Sequence, residues 1–466
     1  MSAFVQHSPE DRRLMLEAIG VDRFEDLVAD IPAALRRREP LALPAGVSEP
    51  ETIASLQRMA GRNRFAGDLV CFAGGGIYDV CVPVATAAIA SRPEFSTSYT
   101  PYQAEVSQGT LQVIYEFQTV ISRLTGLEIA NASMYDAGTA LAEAVLLALT
   151  ARTGQRVLVS PHLHPHHRAV LKTFLEPVGV VAEELPAQGI RTDVSGLTPD
   201  RLEGVAAVVL QHPNFLGALE DMRLAGAALE GPDTPLFIAS VDLSSLSLVE
   251  DPGSYGADIA VSDAQTLGIP MSFGGPVAGV FAARQEYLRR MPGRIAAMGR
   301  DAKGQRAFTL AFQTREQHIR RSKATSNICT NQALTALMAT VSTALIGETG
   351  RRRAAELSAM KAHELAGRLA EIPGVALVDA EAPFFREFAL RLPDGVSAAQ
   401  VLEGLVGRGV LGGIPLASLP GGGEGLLVAV TEKRLAVDLD HYVDALQSVL
   451  AEATAVSGRP LEANAS

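Results

Sequence analysis

Between residues 61 and 345, short apolar runs alternate with amphipathic segments of helical period. Four of the runs are almost continuously apolar: Arg156–Ser160, Val205–Gln211, Leu236–Val241 and Asp258–Ser262. Strands that are apolar on both faces are typical of a parallel sheet covered by helices on both sides. The pattern therefore predicts a large α/β domain over 61–345, with functional residues gathered where the strands end.

Two further regions flank that domain. Residues 1–60 are helical in pattern and predict an N-terminal arm, which begins with the cap, proline and acids of Ser8–Asp11. Residues 346–455 predict a small C-terminal α/β domain. Its predicted elements are helices at Ala354–Leu369, Ala398–Arg408 and Asp438–Ala451 and strands at Phe384–Leu392 and Leu426–Val430. The tail, 456–466, is small and polar and is expected to be flexible.

Composition and charge narrow the class of protein. Of the 466 residues, 47% are hydrophobic and 20% are charged, which is typical of a globular protein. The length is sufficient for more than one packed unit. The net charge is −12. An acidic chain without a dense lysine or arginine stripe argues against a nucleic-acid partner. No apolar run has the length of a membrane span, and the N-terminus lacks the order of a signal peptide. The sequence therefore predicts a cytoplasmic protein with no membrane partner.

No metal site is expected. The three cysteines fit no common zinc spacing, and the four histidines between His162 and His167 have no carboxylate among them. The histidine segment is interpreted as a surface loop that leads into a helix.

A polar turn at Asn131–Asp136 runs into a strong helix over about Thr139–Leu149. The free N–H groups of a helix N-terminus attract anions such as phosphate, and Gly138 and Thr139 lie at that point. An ordinary capped helix explains the same segment, so both interpretations stay open.

Polar residues also follow the buried strands. Asn214 comes soon after one strand, and Asp242 directly ends the next. A carboxylate at such a strand end is where a pyridoxal-phosphate (PLP) enzyme places the partner of the cofactor's ring nitrogen. The following strand and glycine-rich turn are where such an enzyme carries its Schiff-base lysine, yet no lysine occurs between Lys172 and Lys303.

Two stretches are dense in polar and aromatic side chains. The first is a loop that leads into a helix, and it favours a binding site because a solvent loop needs few large, specific groups. Its candidate residues are Tyr99, Thr100, Tyr102, Gln103, Glu105, Ser107 and Gln108. The second polar motif contains Lys323, Thr325, Ser326 and Asn327.

At these motifs the sequence resembles subunit 1, the alpha chain, of the two-chain bacterial glycine dehydrogenase (decarboxylating), the P-protein of the glycine cleavage system. The resemblance spans Met15 to Lys433. It is carried by Tyr99-Thr-Pro-Tyr-Gln, Ser107-Gln-Gly-Thr-Leu-Gln, Ala130-Asn-Ala-Ser-Met-Tyr-Asp, Phe273-Gly-Gly-Pro, Arg315-Glu-Gln-His-Ile-Arg-Arg and Lys323-Ala-Thr-Ser-Asn-Ile-Cys-Thr. Two positions depart from the family pattern: Val80 replaces a histidine, and the small residues Ala137 and Gly138 are exchanged.

The resemblance implies a type I PLP-dependent, aminotransferase-like fold and a related beta chain that holds PLP covalently through a lysine. When the sequence is aligned with the beta-chain segment that carries this lysine, Gln265 takes the place of the lysine. The amide of glutamine cannot form an imine with the aldehyde of PLP. Asp136, Gly138, Thr139, Asn214 and Asp242 would then be vestigial cofactor-site positions.

The implied activity is the decarboxylation of glycine and the transfer of the aminomethyl group to the lipoyl group of H-protein. It would be carried out by an α2β2 assembly, with the Tyr99–Gln108 segment forming part of the active-site wall. Two alternatives stay open: a non-catalytic scaffold or regulatory subunit of the same complex, or an autonomous PLP aminotransferase that uses another lysine, for which Lys323 is the candidate.

Overall fold

The structure is a computed structural model that describes residues 6–37, 39, 41–324, 326, 328–418 and 423–457. Thr325 and Asn327 of the second polar motif lie outside the described residues, as does the predicted tail from residue 458 onward. The chain divides into two compact units, with the boundary after Arg64.

The first unit contains three helices, α1 (Pro9–Ile19), α2 (Phe24–Leu27) and α3 (Glu49–Ala60). The helix start predicted at Ser8 is confirmed, since the Ser8 side chain accepts a hydrogen bond from the backbone N–H of Asp11. These helices, all of whose residues the structure describes, contain no buried residue. Their stability therefore rests on caps and local pairs rather than on a core.

The second unit contains the remaining elements. Its strands are β1 (Val70–Cys71), β2 (Ile129–Ala130), β3 (Arg156–Val159), β4 (Ala182–Glu184), β5 (Ala187–Gln188), β6 (Arg191–Thr192), β7 (Val205–His212), β8 (Leu236–Val241), β9 (Ile259–Asp263), β10 (Gly279–Ala283), β11 (Ile295–Arg300), β12 (Arg306–Ala311), β13 (Ala376–Leu377), β14 (Glu387–Arg391), β15 (Val410–Leu411), β16 (Ile414–Pro415) and β17 (Gly425–Ala429). Its helices are α4 (Val84–Ala90), α5 (Gln108–Thr125), α6 (Ala137–Ala151), α7 (Pro165–Leu175), α8 (Pro199–Leu202), α9 (Met222–Ala228), α10 (Gln317–Arg320), α11 (Ala333–Ala370), α12 (Ala398–Gly407) and α13 (Ala436–Ser457).

The main sheet has the strand order β2-β10-β9-β8-β7-β3-β4. The four apolar runs form its parallel centre, as predicted, and β10 runs antiparallel to its neighbours. Along β7, Val208 faces one hydrophobic core and Val209 faces the other. Successive side chains of a strand point to opposite faces, so burial on both sides explains why these runs are continuously apolar.

A smaller antiparallel sheet, β13-β14-β17-β16, forms its own core with α11, α12 and α13. The long helix α11 has non-helical backbone angles at Gly347, with φ +67°. That irregularity lies next to the predicted boundary at residue 345, at a residue type that tolerates positive φ. The division into domains at that point stays a prediction.

Among the described residues, no helix is both long and apolar enough to cross a bilayer.

Candidate active site

A cavity of about 570 Å³ lies at the carboxyl ends of β7, β8 and β9. Parallel strands bring their ends to the same edge of a sheet, which is why residues far apart in sequence meet there. Four of the predicted vestigial positions line it: Asp136, Gly138, Asn214 and Asp242. Other lining residues carry no local sequence signal that predicts them; they include Tyr78, His164, Asp263, Arg386 and Glu387.

Asp242 forms an ion pair inside this cavity wall. Its Oδ2 accepts a hydrogen bond of 2.5 Å from the fully buried guanidinium of Arg386. Its Oδ1 accepts hydrogen bonds from the backbone N–H and the hydroxyl of Ser244, at 3.0 and 2.8 Å. Arg386 also stacks on the ring of Tyr78, 3.8 Å from the ring centre. Both oxygens of the carboxylate are thus engaged, and its charge is balanced by an internal cation.

Glu387 ties the same wall to the glycine turn near residue 75. Its carboxylate accepts hydrogen bonds from the Gly75 N–H at 2.7 Å and from the Tyr78 hydroxyl at 2.8 Å. Burial raises the pKa of Glu387 to about 7, and the two hydrogen bonds and the charge of Arg386 offset part of that rise. The carboxyl group therefore titrates near neutral pH.

Gln265 is fully buried, and it does not line the cavity. Its Nε2 donates to the carbonyls of Tyr78 and Ile269, at 2.9 and 2.8 Å, while its Oε1 accepts from the Tyr78 N–H at 3.0 Å. The neighbouring Thr266 is the residue of this turn that reaches the cavity, with its hydroxyl 3.4 Å from Asp242. The Gln265 amide thus holds backbone segments together instead of facing a ligand.

The N-terminus of α6 is an ordinary capped helix. Asp136 accepts a hydrogen bond of 2.8 Å from the Thr139 N–H, and the Thr139 hydroxyl completes the capping box. A second carboxylate, that of Asp263 at the end of β9, lies beside this cap. Burial, and then the nearby charge of Asp136, raises the pKa of Asp263 to about 7, while the N–H of Ala137 offsets part of the rise. Of the two interpretations that the sequence left open, the geometry favours the cap.

Asn214 turns its side chain into its own loop. Its Oδ1 accepts from the backbone N–H groups of Leu216 and Ala218, and its Nδ2 donates to Ile190 and Glu220. All the hydrogen-bonding capacity of the amide is therefore used within the fold.

Of the four histidines between residues 162 and 167, His164 is buried, His162 and His167 are partly buried and His166 is exposed. His164 Nδ1 accepts from the His166 N–H, so its Nε2 carries the proton and donates to the Gly75 carbonyl at 2.8 Å. Burial lowers the pKa of His164 to about 4 and that of the stacked His167 to about 3. Within the described part of the chain, no group of three or more potential ligands is placed to hold a metal ion.

The structure does not bring the Tyr99–Gln108 segment to this cavity. The Gln108 side chain exchanges two hydrogen bonds of 2.8 Å with the backbone of Phe308, which fixes the segment on β12. Tyr99 is 85% exposed and Tyr102 is 53% exposed, with the guanidinium of Arg294 over the Tyr102 ring. The remaining predicted residues of the segment are Thr100, which is partly buried, Gln103 and Glu105, which are exposed, and Ser107, which is buried.

The second polar motif also lies outside the cavity lining. Lys323 is exposed, and the Ser326 hydroxyl accepts a hydrogen bond of 3.1 Å from the Ile328 N–H.

A family model described as "Glycine cleavage system P-protein" matches residues 2–446. The chain belongs to this P-protein family. A protein of Chlorobium limicola named "Probable glycine dehydrogenase (decarboxylating) subunit 1" is 48% identical to this P-protein chain over 450 residues, which is 96% of the chain and 100% of the relative. A protein of the same name from Prosthecochloris aestuarii is 47% identical over 448 residues, 96% of the chain and 99% of the relative. The resemblance stated from the motifs is confirmed.

Solved structures agree with that assignment. A crystal structure of glycine decarboxylase (P-protein) of the glycine cleavage system, in inhibitor-bound form, is 45% identical, with a TM-score of 0.87 over 96% of this chain and 100% of that one. An alanine–glyoxylate aminotransferase of Nostoc is 17% identical, with a TM-score of 0.58 over 90% of this chain and 98% of that one, and shows the fold alone. The P-protein chain has the type I PLP-dependent fold, as predicted.

The residues of this cavity do not fit PLP. Among the lining residues that the structure describes there is no lysine to form an imine. Asp242, at the position of the ring-nitrogen partner, is already paired with Arg386. The helix end that would receive the phosphate is occupied by Asp136 and flanked by Asp263. The described lining of this cavity thus lacks the three contacts that PLP would need.

Proposed function

We propose that this chain is the alpha subunit of a two-chain glycine dehydrogenase (aminomethyl-transferring), active only with its beta subunit. The observation that supports this proposal is the Gln265 amide, which the resemblance sets in place of the beta-chain lysine and which three hydrogen bonds hold within the fold, in a chain 48% identical to a subunit 1 protein. PLP, which supplies the electron sink for decarboxylation, is assigned to the beta subunit. The substrates are glycine and the lipoyl group of H-protein, and the assembly is α2β2.

The contribution of this chain is a wall of the beta-subunit active site, formed by the Tyr99–Gln108 segment. The support is geometric: large side chains of Tyr99 and Tyr102 stay exposed while Gln108 anchors their backbone to β12. A rigid, exposed tyrosine beside an arginine is typical of the centre of an interface. Arg294 beside Tyr102 provides that arginine.

The test is the exchange of carbon between glycine and bicarbonate by the reconstituted complex of both chains, PLP and lipoylated H-protein. The beta subunit alone is expected to show little exchange. Alanine at Tyr99, Tyr102 or Glu105 is expected to lower the rate by roughly tenfold or more, a typical loss for an interface or positioning residue. Val181→Ala, at a residue that is 75% exposed elsewhere on the chain, is the matched control.

Two results would contradict parts of the proposal. Equal exchange by the beta subunit alone would show that the alpha chain is not needed. Unchanged exchange by the Tyr99, Tyr102 and Glu105 variants in an intact complex would leave a scaffold or regulatory subunit as the better description. For an autonomous aminotransferase, borohydride would trap PLP on a lysine of the purified chain, and the exposure of Lys323 outside the cavity argues against it.

A further inference from the structure

The N-terminus of α6 is the place in this cavity where a phosphate ester would bind, since backbone N–H groups and the positive end of the helix dipole point there. In this chain the position already holds carboxylates. Asp136 is the helix cap, and its Oδ1 takes up the Thr139 N–H at 2.8 Å. Asp263 comes from another element, β9, and lines the same cavity.

The fold engages the Asp263 carboxyl group only in part, through the backbone N–H of Ala137. Its Oδ1 is buried and has no hydrogen-bond partner among the described residues. A buried acceptor left in this way costs stability, and it usually marks a constraint other than folding. No arginine or lysine lines the described cavity close to α6 to balance it, since the lining cation Arg386 is paired with Asp242.

A phosphate at this position would carry its negative charge into contact with two carboxylates. Neighbouring like charges in a cavity disfavour the charged forms by one to three pKa units, which corresponds to roughly 10- to 1000-fold in an equilibrium constant. Burial is the main reason why the pKa of Asp263 is raised, and the charge of Asp136 adds to it, so repulsion between carboxyl groups already acts at this position.

We propose that Asp263, acting with the Asp136 cap, keeps phosphate esters out of this cavity. Two features of this chain would then oppose PLP binding: Gln265 in place of a lysine, and the two carboxylates at the N-terminus of α6. Restoring a lysine would not by itself restore a PLP site. This inference concerns binding to this chain alone, so it stands or falls separately from the proposed glycine reaction.

The test compares the wild-type chain with Asp263→Asn, which removes the charge and keeps the shape. Calorimetric titrations at pH 8 use inorganic phosphate, pyridoxamine 5′-phosphate and, as the phosphate-free control, pyridoxamine. These ligands need no imine, so the lack of a lysine does not affect the result. Asp263→Asn is expected to bind inorganic phosphate at least roughly tenfold more tightly than the wild type, with no gain for pyridoxamine.

Two further variants complete the design. Asp263→Ser removes the charge in a second way, which covers the case in which the asparagine variant does not fold. Asp258→Asn changes another buried carboxyl group, one that accepts from the Phe237 N–H away from the cavity lining, and should leave phosphate binding unchanged. Phosphate affinity that is no higher in either Asp263 variant than in the wild type, undetectable binding in all three included, would overturn the proposal.

Discussion

The amide oxygen and the amide nitrogen of the Gln265 side chain both form hydrogen bonds with the surrounding backbone. One acceptor meets the Tyr78 N–H, and the two donors meet the carbonyls of Tyr78 and Ile269. A side-chain amide offers this combination without a charge, which lysine and glutamate do not. Gln265 therefore has a structural role of its own within the fold.

Gln265→Glu is expected to lower the free energy of unfolding by about 2–4 kcal/mol, because a buried carboxylate would face two carbonyl oxygens. Desolvation would raise the pKa of the new carboxyl group above its unfolded value. The stability would therefore be highest at low pH and would fall as the pH rises through the folded pKa. Urea unfolding at pH 5 and pH 8 measures both effects.

Gln400→Glu, on the exposed face of α12, is the matched control and should change the unfolding midpoint little. If Gln265→Glu unfolds at the wild-type urea concentration at pH 8, the amide does not hold these segments together.

The ion pair of Asp242 is a contact that could not be predicted from the sequence. Its position at a strand end is visible in the sequence, but its partner Arg386 lies 144 residues later, directly before β14 of a different sheet. No local pattern distinguishes Arg386 from the other arginines. The sequence therefore predicted Asp242 as a vestigial cofactor-site position, and only the fold shows that it is one half of an internal ion pair.

Among the elements, the parallel centre of the main sheet was predictable because two-sided burial leaves a continuous apolar run. The antiparallel strand β10 and the hairpin β11–β12 were not predicted. The run Gly279–Ala283 is only five residues long, and the described residues of β11 and β12 pair with each other alone, so neither gives a strong strand pattern. Such strands are decided by their partners more than by their own sequence.

The loop after β7 and the strand β14 approach each other at Gly217, which has φ +90°. A β-carbon built there would lie 1.9 Å from the carbonyl oxygen of Glu387. Gly217→Ala is therefore expected to lower the free energy of unfolding by about 3 kcal/mol or more, since backbone strain and a clash with main chain add. Thermal and urea unfolding measure the loss.

Gly304→Ala separates the two contributions. Gly304 has φ +77° with no atom within 4 Å of a β-carbon, so only the strain of the left-handed backbone remains, about 1 kcal/mol. If the two variants lost the same free energy of unfolding, the close approach of Gly217 to β14 would contribute nothing to the effect of Gly217→Ala.

At the scale of the whole molecule, the first unit exposes several large apolar side chains. Leu14, Ile19, Leu35, Leu43 and Leu56 are each between 49% and 77% exposed. Exposed apolar surface of this kind marks a site for another protein. We expect it to be covered by the beta subunit of the proposed complex.

Hydrogen exchange of the arm tests that expectation. On addition of the beta subunit, amides of α1 and α3 should exchange more slowly, while exposed amides of α12 serve as the internal reference. Unchanged exchange throughout residues 9–60 in a formed complex would assign the arm another role.

The sequence by itself determined the class of fold, the family and the absence of any lysine between Lys172 and Lys303. These follow from local facts: the two-sided apolar strands, the near-contiguous motifs and the residue types along that stretch. Only the tertiary structure decided what the remaining cavity can hold. The pairing of Asp242 with Arg386 and the approach of Asp263 to the α6 cap join residues separated by more than a hundred positions. Interactions of that range depend on chain topology, and a one-dimensional pattern of apolar and polar residues does not encode them.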